Sequence, residues 1–300
     1  MRVGVVGAGA IGSTYAWYLA RAGHEVVLLD VRADHVAAIA RDGLIAELPD
    51  GREEAVRVET SPLPVEVILV VTKSFATEDA ARGAQPLVEP RTLVTTVQNG
   101  LGNVEALRRV FGDERVVPGS TTVAAEPGAL GRVRIADSTT AGRSKTVLGP
   151  GLEAFASALA GAGLPAVIDP QVELVIWRKL MLAGSMGPLS AVLGLTVGAT
   201  MRNRPAVALL RRLIEEIAAV ATACGVPLEA DACWALAEAT YASLGDHRAS
   251  IAVDLAEGRR TEIDAMCVEV ARLGREHGVA APVNEVVGEL VRALEARQAA

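Results

Sequence analysis

The chain reads as an α/β protein, with a doubly wound parallel sheet in its N-terminal part and an all-helical C-terminal domain. Three observations predict this. Strand-like and helix-like segments alternate through the first third of the 300 residues, the pattern of consecutive βαβ units. A glycine-rich stretch, Gly7 to Gly12, separates the first strand from the first helix. Beyond about Leu164 strand signal almost vanishes, and apolar residues recur at helical spacing.

Met1 to Val6 is a short apolar run, as expected of a parallel strand covered on both faces. Ser13 to Ala22 reads as a helix closed by Gly23. Glu25 to Leu29 is a second buried strand ending at Asp30, and Asp34 to Asp42 a helix that stops near Gly43. Val65 to Thr72 and Thr92 to Val97 continue the alternation. Val116 to Thr122, Gly131 to Ile135 and Thr146 to Leu148 are further strands. The second half offers helices over Val172 to Leu193, Pro205 to Cys224, Ala230 to Leu244, Arg260 to His277 and Asn284 to Gln298. In the second of these, Leu209, Leu210, Leu213, Ile214, Ile217 and Val220 form one stripe. The domain boundary is expected between Leu164 and Asp169, giving domains 1–167 and 168–300.

Composition excludes several functions. Hydrophobic residues make up 51% and aromatic ones 3%, which suits helices packed on a parallel sheet. Acidic residues outnumber basic ones 36 to 29, with a net charge of −7, which argues against a nucleic-acid or anionic-membrane partner. Cys224, Cys233 and Cys267, and His24, His35, His247 and His277, share no metal-ligand spacing. No metal is expected. No apolar run reaches membrane-spanning length without charges. The N-terminal segment leads directly into a strand and turn rather than a signal peptide. The expectation is a soluble, cytoplasmic protein with a small-molecule partner, compatible with a homodimer.

The turn Gly7-Ala8-Gly9-Ala10-Ile11-Gly12 fits G-x-G-x-x-G, follows a strand and opens a helix, the context that makes this pattern a Rossmann dinucleotide-binding signature. Gly7 permits the tight turn, Gly9 lets backbone approach the pyrophosphate, and Gly12 lets helix and strand pack closely. The helix N-terminus offers N–H groups and a partial positive charge to the phosphates. Asp30 lies 18 residues beyond Gly12, where a carboxylate meets the adenosine ribose hydroxyls and repels a 2′-phosphate. Arg32 could hold such a phosphate. The cofactor expected is NAD(P)H, with NAD(H) favoured.

The set Gly7 to Gly12, Val71-Thr72-Lys73, Gln98-Asn99-Gly100, Trp177-Arg178-Lys179-Leu180, and Ser250 with Asp254 and Arg260-Thr261-Glu262-Ile263-Asp264 resembles the ketopantoate reductase family over nearly the whole chain. The resemblance implies a Rossmann domain plus a helical domain that reduce a 2-keto acid in the cleft between them. It implies that Lys73 and Asn99 line the nicotinamide end of the cofactor. Lys179 would be the general acid, Ser250 would touch the substrate carboxylate, and Glu262 would hold the lysine and the substrate. The chemistry agrees: hydride transfer to a ketone leaves an alkoxide, and a lysine ammonium both polarises the carbonyl and supplies the proton. Lys73 and Asn99 each follow a buried strand, and ligands of open parallel sheets bind beyond the strand carboxyl ends.

The chain departs from the family at three positions. Amides usually found four and eight residues after the lysine are here Ala183 and Gly187, and a third, just before the serine, corresponds to His247. Their loss removes donors from the substrate site and is expected to open room. The function expected is reduction of a 2-keto acid to a 2-hydroxy acid, the substrate being ketopantoate or a bulkier, less polar relative. Two alternatives are an oxidative hydroxy- or amino-acid dehydrogenase of related architecture and a catalytically silent dinucleotide sensor. Retention of both Lys179 and Glu262 favours an enzyme.

Overall fold

The computed structural model describes residues 1–142 and 144–299. Its contacts form two compact units, one of Met1–Gln98 with Asn103–Val172, the other running from Glu173 onward together with Asn99–Gly102.

The first unit contains, in chain order, β1 (Arg2–Val6), α1 (Ala10–Arg21), β2 (Glu25–Leu29), α2 (Ala33–Asp42), β3 (Leu44–Glu47), β4 (Glu53–Val56), β5 (Val65–Val70), α3 (Thr77–Gly83), β6 (Val88–Thr96), α4 (Asn103–Phe111), β7 (Val116–Thr121), β8 (Ala125–Pro127), β9 (Arg132–Ile135), α5 (Asp137–Thr140), β10 (Thr146–Leu148), α6 (Glu153–Gly161) and β11 (Ala166–Ile168). Seven strands form the main sheet in the order β11-β10-β7-β6-β5-β1-β2. From β7 to β2 every pairing is parallel, and the residues of β1 and β5 are almost wholly buried because helices cover both faces. β10 departs from the all-parallel expectation and runs antiparallel to β7. Parallel pairing needs a long crossover. Among the described residues between β7 and β10 there are only two strands of another sheet and the single-turn α5, so the chain returns along β7 in the opposite sense.

That other sheet, β4-β3-β9-β8, claims Gly131 to Ile135 and explains why α1 is buried all round. Trp17 and Tyr15 are fully buried, in one cluster with Leu44, Ala46, Val133 and Ile135. The Trp17 indole N–H donates to the Glu54 carbonyl at 2.9 Å.

The second unit is helical: α7 (Val172–Leu193), α8 (Val197–Arg202), α9 (Arg204–Ala223), α10 (Ala230–Ala242), α11 (Ser250–Ala256), α12 (Cys267–Glu276) and α13 (Pro282–Ala299). The α9 stripe Leu210, Leu213, Ile214, Ile217 and Val220 is completely buried, whereas Leu209, expected on it, is exposed. One expected element is divided. Instead of a helix over Arg260 to His277 there is a tight turn, Ile263–Ala265, followed by α12. The Thr261 hydroxyl caps that turn by accepting the Ile263 N–H, and the Ala265 carbonyl is taken by the Leu101 N–H at 2.8 Å rather than by the next helical turn. Among the described residues no helix is long and apolar enough to cross a membrane.

Candidate active site

The glycine-rich loop is forced by sterics. Gly7 has φ +107°, and a Cβ there would lie 2.9 Å from the Thr72 nitrogen; a Cβ on Gly12 would lie 1.9 Å from the Gly7 oxygen. At Gly9 a Cβ would meet nothing within 4 Å, so the loop is open on that side. Gly9 caps α1 without a side-chain acceptor, and the first turn holds no acidic residue. Its N–H groups are therefore suited to an anion. Ala8 is buried, and Ala10 and Ile11 are half-buried.

Asp30 braces this loop. One carboxylate oxygen accepts the Ala8 N–H at 2.7 Å. The other accepts the Arg32 backbone N–H at 2.9 Å and its Nε at 3.1 Å. Arg32 Nη2 then donates to the Ala8 carbonyl at 2.9 Å. The Asp30 side chain is 10% exposed and that of Arg32 48%. Burial alone pushes the Asp30 carboxyl up, but the bonds from Arg32 and Ala8 and the guanidinium charge outweigh it and hold the group below the usual range. Asp30 is thus ionised, with part of its accepting capacity spent on the loop.

Lys73 is exposed, after the end of β5, and caps the short turn Ser74–Ala76. A polar network that sequence reading missed joins the ends of β5 and β6. Gln98 Nε2 donates to the Thr72 carbonyl at 2.8 Å and to the Thr77 hydroxyl at 2.9 Å. The Thr77 hydroxyl lies 2.9 Å from Asn103 Oδ1, and Thr96 Oγ1 donates to Gln98 Oε1 at 2.7 Å. Polar residues directly after two buried strands were the available signal.

In the second unit Asn99 lies on the half-buried segment Asn99–Gly102, which packs on the turn after Glu262. Gly100 makes this possible: its φ is +81°, and a Cβ would lie 2.4 Å from the Ala265 oxygen. Lys179 projects from α7 and is half-buried. Its Nζ makes no hydrogen bond or ion pair among the described residues. Burial lowers its pKa to about 8, and the Glu262 carboxylate, itself buried, opposes that shift. An ammonium so tuned can give and regain a proton near neutral pH.

The path of α7 depends on Pro188, which cannot donate to the Gly184 carbonyl four residues earlier. The buried Cys267 thiol supplies that donor instead, at 3.2 Å, and so ties α7 to α12. Ala183 is half-buried one turn beyond Lys179. Gly187 does not open room as expected: a Cβ there would lie 3.0 Å from Ile251 Cγ2 and 3.7 Å from the Ala249 Cβ. The missing side chain is filled by the start of α11. Ser250 is the first residue of α11 and is exposed. His247 is also exposed, and its carbonyl accepts the Val197 N–H at 3.0 Å.

Residues 3–151 match the family described as ketopantoate reductase PanE/ApbA, and residues 171–295 match its C-terminal domain. A 2-dehydropantoate 2-reductase of Caulobacter vibrioides is 32% identical, the match covering 97% of this chain and 98% of that protein. The counterpart from Halobacterium salinarum is 30% identical, covering 97% and 98%. Among solved structures, a PanE/ApbA family ketopantoate reductase from Ralstonia eutropha JMP134 superposes with a TM-score of 0.91 at 33% identity, with both chains fully covered. The ternary complex of D-mandelate dehydrogenase with NADH and anilino(oxo)acetate does so with a TM-score of 0.91 at 28% identity, over 100% of this chain and 99% of that one. The glycine loop, the helical second unit and these full-length matches together mean that the chain belongs to the ketopantoate reductase family.

Proposed function

We propose that this nicotinamide-dependent oxidoreductase reduces a 2-keto acid with Lys179 as the general acid. The observation that carries the reading is the half-buried Lys179 ammonium, with its pKa lowered to about 8 and the Glu262 carboxylate close enough to oppose the shift. The open face over Gly9, the anion-ready N-terminus of α1 and the rigid positions of Gly7 and Gly12 suit a dinucleotide pyrophosphate. When bound, the reduced nicotinamide supplies the hydride. The chain's own residues do the rest. Lys179 polarises the keto oxygen and gives it a proton, while Glu262 keeps the ammonium charged and aimed. Lys73 and Asn99 line the nicotinamide end, and Ser250 meets the substrate carboxylate. Asp30 receives the adenosine ribose and favours NAD(H) over NADP(H).

The substrate is ketopantoate or a bulkier, less polar 2-keto acid. Binding of anilino(oxo)acetate by the D-mandelate dehydrogenase supports the second, as does the apolar α7 face at Ala183. A cytoplasmic setting is supported by three unpaired cysteines. A homodimer is supported by the exposed Val286 and Leu290, one turn apart on α13, and gel filtration tests it.

The test is loss of reduced-nicotinamide absorbance with a panel of 2-keto acids and either cofactor. Turnover is expected with at least one acid. Cofactor binding without any turnover would make the chain a silent sensor and overturn the reading.

A further inference from the structure

One buried titratable group has no part in the chemistry above. His35, in the first turn of α2, is 4% exposed. Its Nδ1 accepts the Gly131 N–H at 3.1 Å, so the neutral ring carries its proton on Nε2. That Nε2 is buried and forms no hydrogen bond among the described residues, although the Ala8 backbone is near enough to favour the protonated ring. Competition explains the orphan. The Ala8 oxygen already accepts the Ser13 hydroxyl at 3.1 Å and Arg32 Nη2 at 2.9 Å, and a carbonyl has two lone pairs. Three donors converge where two can bind. The charged groups around the ring are Arg32, Asp30 and Asp34; burial first, then Arg32, keeps the imidazole below its ordinary pKa and hence neutral at pH 7.

We propose that His35 is a stand-by donor that makes Arg32 releasable. When a phosphate monoester at the adenosine end draws the guanidinium outward, the His35 Nε2–H takes the vacated position on the Ala8 oxygen, and the loop keeps its shape. The 2′-phosphate of NADPH is such a group. NADH lacks it and leaves Arg32 on Ala8. His35 is therefore a positioning residue that acts through Arg32 and sets tolerance for the phosphorylated cofactor alone. The inference rests on the dinucleotide binding at this loop.

The test is the Kd of NADH and of NADPH, by nicotinamide fluorescence, for wild type, His35→Asn, His35→Gln, Arg32→Leu and the double variant Arg32→Leu/His35→Asn. Asparagine keeps an acceptor for Gly131 but loses the distal donor; glutamine keeps a donor near the Nε2 position. His35→Asn is expected to weaken NADPH by roughly five- to tenfold, the scale of one lost hydrogen bond, and NADH by less than about twofold. His35→Gln should retain NADPH affinity. In the Arg32→Leu background His35→Asn should have no further effect. Equal weakening of both cofactors, no effect on either, or an effect that persists without Arg32 would overturn the proposal. A wild type that binds neither cofactor would overturn the dinucleotide reading itself, and this proposal with it.

Discussion

At the scale of single residues, Lys179 carries the most direct predictions. The proposed role requires its acid form for reduction, and its pKa is lowered to about 8. The value of kcat/KM for keto-acid reduction should therefore be level below about pH 7 and fall as pH rises through about 8, with the oxidative direction showing the opposite limb. A profile without that limb would remove Lys179 from the proton transfer. Lys179→Ala should lower kcat by roughly 10²- to 10⁴-fold and leave NADH affinity nearly unchanged. The same shift has a consequence for stability. Between about pH 8 and 10.5 the unfolded chain binds the lysine proton more tightly than the folded one, so this group makes stability rise with pH across that window. Lys179→Met, which removes a buried charge, should raise Tm while abolishing turnover. Asp30 gives a second test. Asp30→Asn keeps an acceptor for the Ala8 N–H but loses the charge, so the NADH preference should narrow. A wild type that prefers NADPH tenfold or more, about 1.4 kcal/mol, would refute the role given to Asp30.

At the scale of elements, long runs buried on both faces were legible, because their apolar content and flanking glycines have one reading. β1, β2, β5 and α7 fall where the pattern puts them. The small sheet was not legible as a unit. β3, β4 and β8 span three or four residues with polar positions interleaved, too short for periodicity to register. The break at Ile263–Ala265 was hidden because its cause is distant in sequence, a backbone bond from Leu101. The bracing of the glycine loop by Asp30 and the thiol that completes α7 at Pro188 were invisible for the same reason. Gly100 tests the value of that distant contact. Gly100→Ala adds a strained φ and pushes a Cβ into the Ala265 oxygen, costing about 1–3 kcal/mol for the backbone conformation alone. Thermal denaturation should show that loss, and turnover should drop as Asn99 shifts. A variant with unchanged Tm and kcat would mean that the segment adapts freely.

At the scale of the whole molecule, the residues proposed for the reaction fall in both units, the glycine loop, Asp30, Arg32 and Lys73 in the first and Lys179, Glu262 and Asn99 in the second. The substrate preference proposed above turns on the α7 face beyond Lys179. Ala183 presents a methyl group, and Gly187 presents nothing because Ile251 and Ala249 cover it. Neither side chain could pair with a hydroxyl on a substrate bound as proposed. A desolvated hydroxyl without a partner costs about 1–3 kcal/mol, whereas each buried methylene contributes about 0.8 kcal/mol. The kcat/KM for a bulky apolar 2-keto acid should accordingly exceed that for ketopantoate by tenfold or more, the factor equivalent to about 1.4 kcal/mol. The two positions should respond differently to repair. Ala183→Asn restores an amide at a half-buried site and should shift preference toward ketopantoate. Gly187→Asn drives a side chain into Ile251, 3.0 Å from the ideal Cβ, and should displace α11 and lower Tm before it restores any selectivity; pairing it with Ile251→Ala should recover the Tm. A wild type that turns over ketopantoate best, with Ala183→Asn leaving that ranking unchanged, would show that the apolar face beside Lys179 does not choose the substrate.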